Sequence, residues 1–206
     1  MSVVNALGVF VRMPEKGKVK TRLAATMGEE KALAVYISLL SHTLSTVSEI
    51  RAPITLFYEG GLPSSKERNS AFEYCPQITG TLTEKLSHAF ELLLTKTEKA
   101  VIIGSDCPDI SSTILQESFS TLNTHDIVIG PATDGGFYLL GLKKFNQHLF
   151  DNIEWSSSTV LSQITSNMVN SKLTFKLLET LSDIDIEKDW KAYKKRRCPD
   201  ENQDTG

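Results

Sequence analysis

Ala100-Val101-Ile102-Ile103-Gly104, followed at once by Ser105-Asp106-Cys107-Pro108-Asp109, decides the fold. The run is fully apolar, too short for a helix and without polar alternation, the pattern of a strand buried on both faces of a parallel sheet. Asp126-Ile127-Val128-Ile129-Gly130 has the same form. Outward from these, Val3 to Val11, Ile54 to Tyr58, Phe137 to Leu142 and Thr174 to Leu178 read as further strands. Between them apolar residues recur at helical spacing over Gly28 to Val47, Leu82 to Leu94, Ser111 to Leu122, Ser157 to Asn170 and Ile186 to Arg196. Strands alternating with helices predict an α/β fold: a single-domain α/β/α sandwich with a mostly parallel central sheet over residues 1–197. Residues 198–206 read as a polar, disordered tail. In such sheets ligands bind beyond the carboxyl ends of the strands, so the residues just after each strand carry the expected chemistry.

The 206 residues are 40% hydrophobic and 23% charged, enough for one substantial core. A net charge of −3 argues against a nucleic-acid coat or a membrane-surface binder. The first apolar stretch is short and precedes its basic residues, the reverse of a signal peptide, and no segment approaches the roughly 20 apolar residues of a membrane span. A cytoplasmic, soluble protein is expected. The three cysteines share no C-x-x-C pair, and the four histidines no motif spacing. Disulfide and zinc frameworks are therefore disfavoured. Neither a G-x-S-x-G elbow nor H-E-x-x-H is present, which disfavours hydrolase and zinc-protease chemistry.

The loop leaving the first strand carries Arg12, Lys16, Lys18, Lys20 and Arg22 against the single acid Glu15, a local charge of +4. Gly17 lets backbone approach a ligand, and the cations suit phosphate oxygens, although a solvated basic loop explains the same residues. The spacing fits neither a Walker loop nor a dinucleotide fingerprint. Asp106 and Asp109 follow the third apolar strand. Asp106 reads as a ligand for a hard divalent cation, Asp109 as a turn or capping residue beside the candidate cap Ser111. Asp134-Gly135-Gly136 suits either a hairpin turn or a substrate lying on backbone, with Asp134 receiving hydroxyl protons. In Ser182-Asp183-Ile184-Asp185, Asp185 reads as a second metal carboxylate, Asp183 as a weaker candidate for that place. Equally, Ser182 or Asp185 could cap the last helix. Trp155 suits a core position or a base or sugar platform.

Taken in order, Met13 to Leu23, Gly104 to Asp109, Gly130 to Gly141, Trp155-Ser156 and Asp183-Ile184-Asp185 with Asp189-Trp190 resemble a bacterial glycosyltransferase-like family. It is known as the radical-SAM/selenodomain-associated transferases and is linked to arsenosugar biosynthesis. The resemblance runs collinearly from Val4 to Trp190 and extends to 2-phospholactate guanylyltransferase. It implies the nucleotide-diphospho-sugar transferase (GT-A) fold, phosphate contacts from Lys18, Lys20 and Arg22, and a Mg²⁺ or Mn²⁺ site at Asp106 and Asp185. It also implies an acceptor pocket beside Asp134, Gly135 and Gly136. One stretch departs from the family's Q-x-x-G-D-L-G-E-R: here Gln77 to Lys85 keeps Gln77, Gly80, Leu82 and Glu84 but has Thr81, Thr83 and Lys85. If this stretch selects base or sugar, Gln77 belongs to that subsite, and the departure implies either a different donor preference or reduced activity.

The expected activity is a metal-dependent glycosyltransferase acting from an NDP-sugar on a small-molecule acceptor. The alternatives are a guanylyltransferase-like nucleotidyltransferase using an NTP, and a non-catalytic nucleotide-binding module. No nucleic acid or membrane partner is expected; the oligomeric state stays open, with a homodimer among the options.

Overall fold

Each short apolar run becomes a strand because it offers aliphatic side chains to both faces of a sheet at once. The computed structural model describes residues 3–64 and 68–197. Its strands are β1 (Val3–Arg12), β2 (Ile54–Glu59), β3 (Phe72–Pro76), β4 (Thr97–Ile103), β5 (Ile127–Pro131), β6 (Phe137–Leu142) and β7 (Phe175–Leu177). The helices are α1 (Thr21–Met27), α2 (Glu29–Ser48), α3 (Leu82–Leu94), α4 (Ser112–Thr121), α5 (Val160–Asn170) and α6 (Glu187–Arg197), with a 3₁₀ turn at Gln147–Phe150. The strands form one sheet in the order β3-β2-β1-β4-β6-β5-β7. β6 is antiparallel to both neighbours and the other pairings are parallel. No helix separates β5 from β6, so the chain returns through the Asp134-Gly135-Gly136 turn instead of crossing over. The mixed α/β single domain read from the sequence is the fold observed, and the expected tail, 198–206, lies outside the described residues.

Alternation along β4 divides the core. Val101 and Ile103 face one layer with Val47 of α2 and Ile114, Leu115 and Phe119 of α4. Ala100 and Ile102 face the other, with Leu86, Ala89, Phe90 and Leu93 of α3 and Val160, Ile164 and Met168 of α5. Helix starts follow local chemistry. Ser111 caps α4, accepting from the Ile114 amide, and Thr81 with Glu84 forms a capping box on α3.

Two elements have no counterpart in the sequence reading. β3 lies at the sheet edge, half exposed and closed by Pro76, so it lacks an apolar run. α1 is seven residues long and buries only Leu23, too little for a period to register. Yet Leu23 belongs to a third cluster with Ala32, Val35, Leu39 and Ile184, against which Trp190 and Tyr193 pack. That cluster ties α1, α2 and α6 to the segment before α6. Ile184 is 1% exposed, and Ile184→Ala should lower unfolding free energy by about 2–4 kcal/mol in urea denaturation.

Candidate active site

The carboxyl ends of β1, β2 and β4, the β5–β6 turn and the segment before α6 enclose a cleft of about 580 Å³, within the range of small-molecule sites. Backbone pairing brings the distant segment in. Leu181 N donates to Pro131 O (3.0 Å), Thr133 N to Leu181 O (2.9 Å) and Ile184 N to Asp106 O (3.1 Å). With Ile184 buried, Asp183 and Asp185 flank it and line the cleft beside Asp106. α6 starts without help from Ser182 or Asp185. The Asp189 carboxylate accepts from the Asp185 and Ile186 amides (3.0 and 2.9 Å), while Ser182 accepts from the Thr133 hydroxyl. The side chain of Asp185 thus stays available to the cleft.

Lys20 is the centre of the arrangement. Its backbone is left-handed (φ 47°, ψ 48°), a conformation that costs a non-glycine residue about 1 kcal/mol or more. Its side chain is 6% exposed, with Nζ 3.2 Å from Asp106 Oδ2 and 2.9 Å from Asp185 Oδ1. Burial pulls the ammonium pKa down, but the two carboxylates outweigh it and hold it above the ordinary lysine value. Arg22, at the mouth, approaches Asp185 at 3.9 Å.

The other expected residues divide. Arg12, Gln77, Asp134, Gly136 and Trp155 line the cleft; Lys16, Gly17, Lys18 and Gly135 do not. Lys16 pairs with Glu30 and Lys18 with Glu15 in solvent. Gly17 (φ 78°) is the third residue of a β-turn closed by Lys18 N donating to Glu15 O, where positive φ favours glycine. Gly135 (φ 91°) packs its backbone on the Ser158 carbonyl, onto which a Cβ would fall, and its own carbonyl accepts from the Leu161 amide. Its role is to join the turn to the start of α5. Arg12 braces the site: its guanidinium donates to Lys18 O (3.2 Å) and Glu59 Oε2 (3.1 Å). Gln77 donates to Val11 O and Phe57 O, tying β1 to β2. Asp134 Oδ1 accepts from the Gly136 amide at 2.8 Å. Trp155 donates to Thr83 Oγ1 (2.9 Å) and stands against Phe137 and Phe150, so it is both core and cleft wall. Asp109 forms an ion pair with Arg196, away from the cleft.

Several contributors had no sequence signal of function. Tyr36, on the apolar face of α2, donates its hydroxyl to Arg12 O (2.6 Å) and accepts from Arg12 N (3.0 Å), clamping the end of β1. Glu59 holds both Arg12 and Lys85. The Cys107 thiol is pushed up to about 12 by burial, so it supplies no thiolate. Asp183 is pushed up to about 7 by burial and then by the charges of Asp106 and Asp134. Among the described residues lining the cleft, the acids Glu59, Asp106, Asp134, Asp183 and Asp185 outnumber the cations Arg12, Lys20 and Arg22, and Lys85 also pairs with Glu59. The basic loop therefore does not make a basic cleft.

The family model described as "Uncharacterized protein conserved in bacteria (DUF2064)" matches residues 43–157, and the chain belongs to that family. No curated protein matches it. Among solved structures, a Desulfovibrio desulfuricans G20 protein provisionally described as a nucleotide-diphospho-sugar transferase is 28% identical, with a TM-score of 0.85 over 97% of this chain and 89% of that one. The CMP:2-keto-3-deoxy-manno-octonic acid synthetase complexed with CTP is 7% identical, with a TM-score of 0.58 over 95% of this chain and 99% of that one. Rv0371c of Mycobacterium tuberculosis H37Rv, solved with manganese, is 11% identical, with a TM-score of 0.58 over 93% of this chain and 98% of that one. The fold is thus that of the nucleotide-diphospho-sugar transferases, GT-A-like. Among the described residues, no helix is long and apolar enough to cross a membrane.

Because Asp183 binds its proton more tightly folded than unfolded, its contribution to stability is complete below about pH 4 and declines as pH rises through about 7. Asp183→Asn should remove that decline, stabilising the protein at pH 8 by roughly 2 kcal/mol or more. Urea unfolding at about pH 4.5 and about pH 8 in EDTA measures the difference, and equal slopes for both proteins would contradict the assignment.

Proposed function

We propose that the protein is a metal-dependent transferase that uses a nucleotide-activated donor, transferring a glycosyl group from an NDP-sugar to a small-molecule acceptor. One observation carries this reading: Lys20, Arg22, Asp106 and Asp185, from three separate chain segments, meet in one cleft at the carboxyl ends of the strands. The donor set fits Mg²⁺ or Mn²⁺. Two carboxylates, with no sulfur or imidazole, converge on a point that already holds a cationic group, and a hard cation of this kind is completed by phosphate oxygens and water. Among the described residues no group of three or more His, Cys, Asp or Glu is arranged to hold a metal ion by itself. Bound at Asp106 and Asp185, it would neutralise charge developing on the leaving diphosphate. The carboxylates in the cleft favour such a cation as the companion of any polyphosphate ligand.

Within this reading Arg22 and Lys20 engage phosphate oxygens. Leu82 and Leu86, with Gln77, wall the nucleoside side, while Phe137, Trp155 and Gly136 border the sugar and acceptor. The acceptor hydroxyl oxygen bonds to the anomeric carbon, the bond from that carbon to the diphosphate breaks, and the NDP leaves with the electron pair. The hydroxyl proton passes to Asp134, whose Oδ1 is held by the Gly136 amide. The likeness of fold to a CTP-complexed synthetase supports a second reading: attack of an acceptor on the α-phosphorus of an NTP, with pyrophosphate leaving.

A panel of NDP-sugars and NTPs with small acceptors, with and without Mn²⁺, separates the readings by the product released, NDP or pyrophosphate. Turnover is expected only with the cation. Asp106→Ala should lower kcat/KM by at least about 100-fold and abolish the metal dependence. Metal-dependent binding without turnover on any acceptor would instead indicate a nucleotide-binding module.

A further inference from the structure

A loop lysine normally faces water, but Lys20 is buried to 6% exposure, while the carboxylates it pairs with keep 43% and 45% of their side chains open. The ammonium reaches Asp106 and Asp185 from the protein side, and solvent reaches the same carboxylates from the cleft. Two carboxylates this close repel each other, and one lysine neutralises half of their combined charge. A divalent ion arriving alone therefore meets a single residual negative charge instead of two, and must also disrupt the 2.9 Å hydrogen bond from Nζ to Asp185. We infer that Lys20 is the resident counter-ion of the Asp106–Asp185 pair and competes with the divalent cation for it, so that metal and nucleotide load together instead of metal first.

This inference rests on the transferase reading and specifies its loading order. A polyphosphate arriving with its cation supplies new anionic partners for the displaced ammonium, with Arg22 already beside Asp185 at 3.9 Å. The exchange then conserves ion pairs: carboxylates pass from ammonium to metal, and ammonium from carboxylates to phosphate. Without phosphate the ammonium would be left buried and unpaired, which is strongly unfavourable. The left-handed backbone of Lys20 is the local conformation from which its side chain reaches the carboxylate pair.

The test is Mn²⁺ uptake by the nucleotide-free protein, followed by electron paramagnetic resonance and by thermal melting with and without MnCl₂. Wild type should take up little Mn²⁺ alone, with its Tm unmoved, and should bind it together with inorganic pyrophosphate. Lys20→Met should gain about tenfold or more in Mn²⁺ affinity without pyrophosphate and weaken in pyrophosphate binding. Lys20→Asn should do the same in a side chain that tolerates the left-handed backbone, and guards against misfolding of the Met variant. Lys20→Arg, which keeps the charge, should behave as wild type. If wild type binds Mn²⁺ with pyrophosphate but neither neutral variant gains Mn²⁺ affinity, the exchange is overturned and the transferase reading stands. If wild type binds neither, alone or together, both are overturned.

Discussion

One ammonium between two carboxylates organises this molecule. Lys20 lies 2.9 Å from Asp185 and 3.2 Å from Asp106, and these residues come from the start, middle and end of the chain. A buried ion pair of this kind is a poor source of net stability, since desolvation offsets much of the attraction. What it does is oblige three loops to remain in register. Backbone strain at Lys20 and the raised proton affinity of Asp183 belong to the same neighbourhood, and such concentrations of unfavourable local terms are characteristic of sites whose geometry serves a ligand.

The rest of the fold supplies the force that holds the charges there. Ile184 sits in the cluster built from α1, α2 and α6, and its amide hydrogen bonds to the Asp106 carbonyl, so apolar burial fixes the carboxylates on either side of it. Asp189 takes the capping work at α6, leaving the Asp185 carboxylate to Lys20. Tyr36 and Gln77 bind backbone groups at the ends of β1 and β2, which keeps the loop carrying Lys20 aligned with the cleft. The cleft floor is sheet.

The stretch from Gln77 to Lys85 is structurally complete. Thr81 accepts from the Glu84 amide and Glu84 accepts from Thr81, so a threonine starts α3 as competently as an acid would. Thr83 accepts from the Trp155 indole, fixing a cleft wall through a contact glycine could not make. Lys85 reaches Glu59, which also holds Arg12. These residues line or brace one wall of the cleft and leave its frame intact.

Much of the architecture is legible in local patterns. AVIIG, DIVIG and FYLLGL can be read as strands because burial on both faces demands unbroken apolar runs, and α3 can be read residue for residue because its cap and period coincide. The residue types of the site are legible as well, since ligands of such sheets bind beyond the carboxyl ends of the strands, where Lys20, Asp106 and Asp134 stand. Their grouping is not. Whether Lys16, Lys18 or Lys20 turns inward depends on one left-handed residue and on which acids lie within reach, and whether Asp185 caps a helix or faces the cleft depends on Asp189. Edge strand β3 and short α1 are silent because their burial comes from partners far along the chain. Sequence alone determines the layers and the inventory of charges, because periodicity and composition are local properties. Only the tertiary structure decides which charges neutralise one another, because electrostatic pairing depends on distance in space and on exclusion of water.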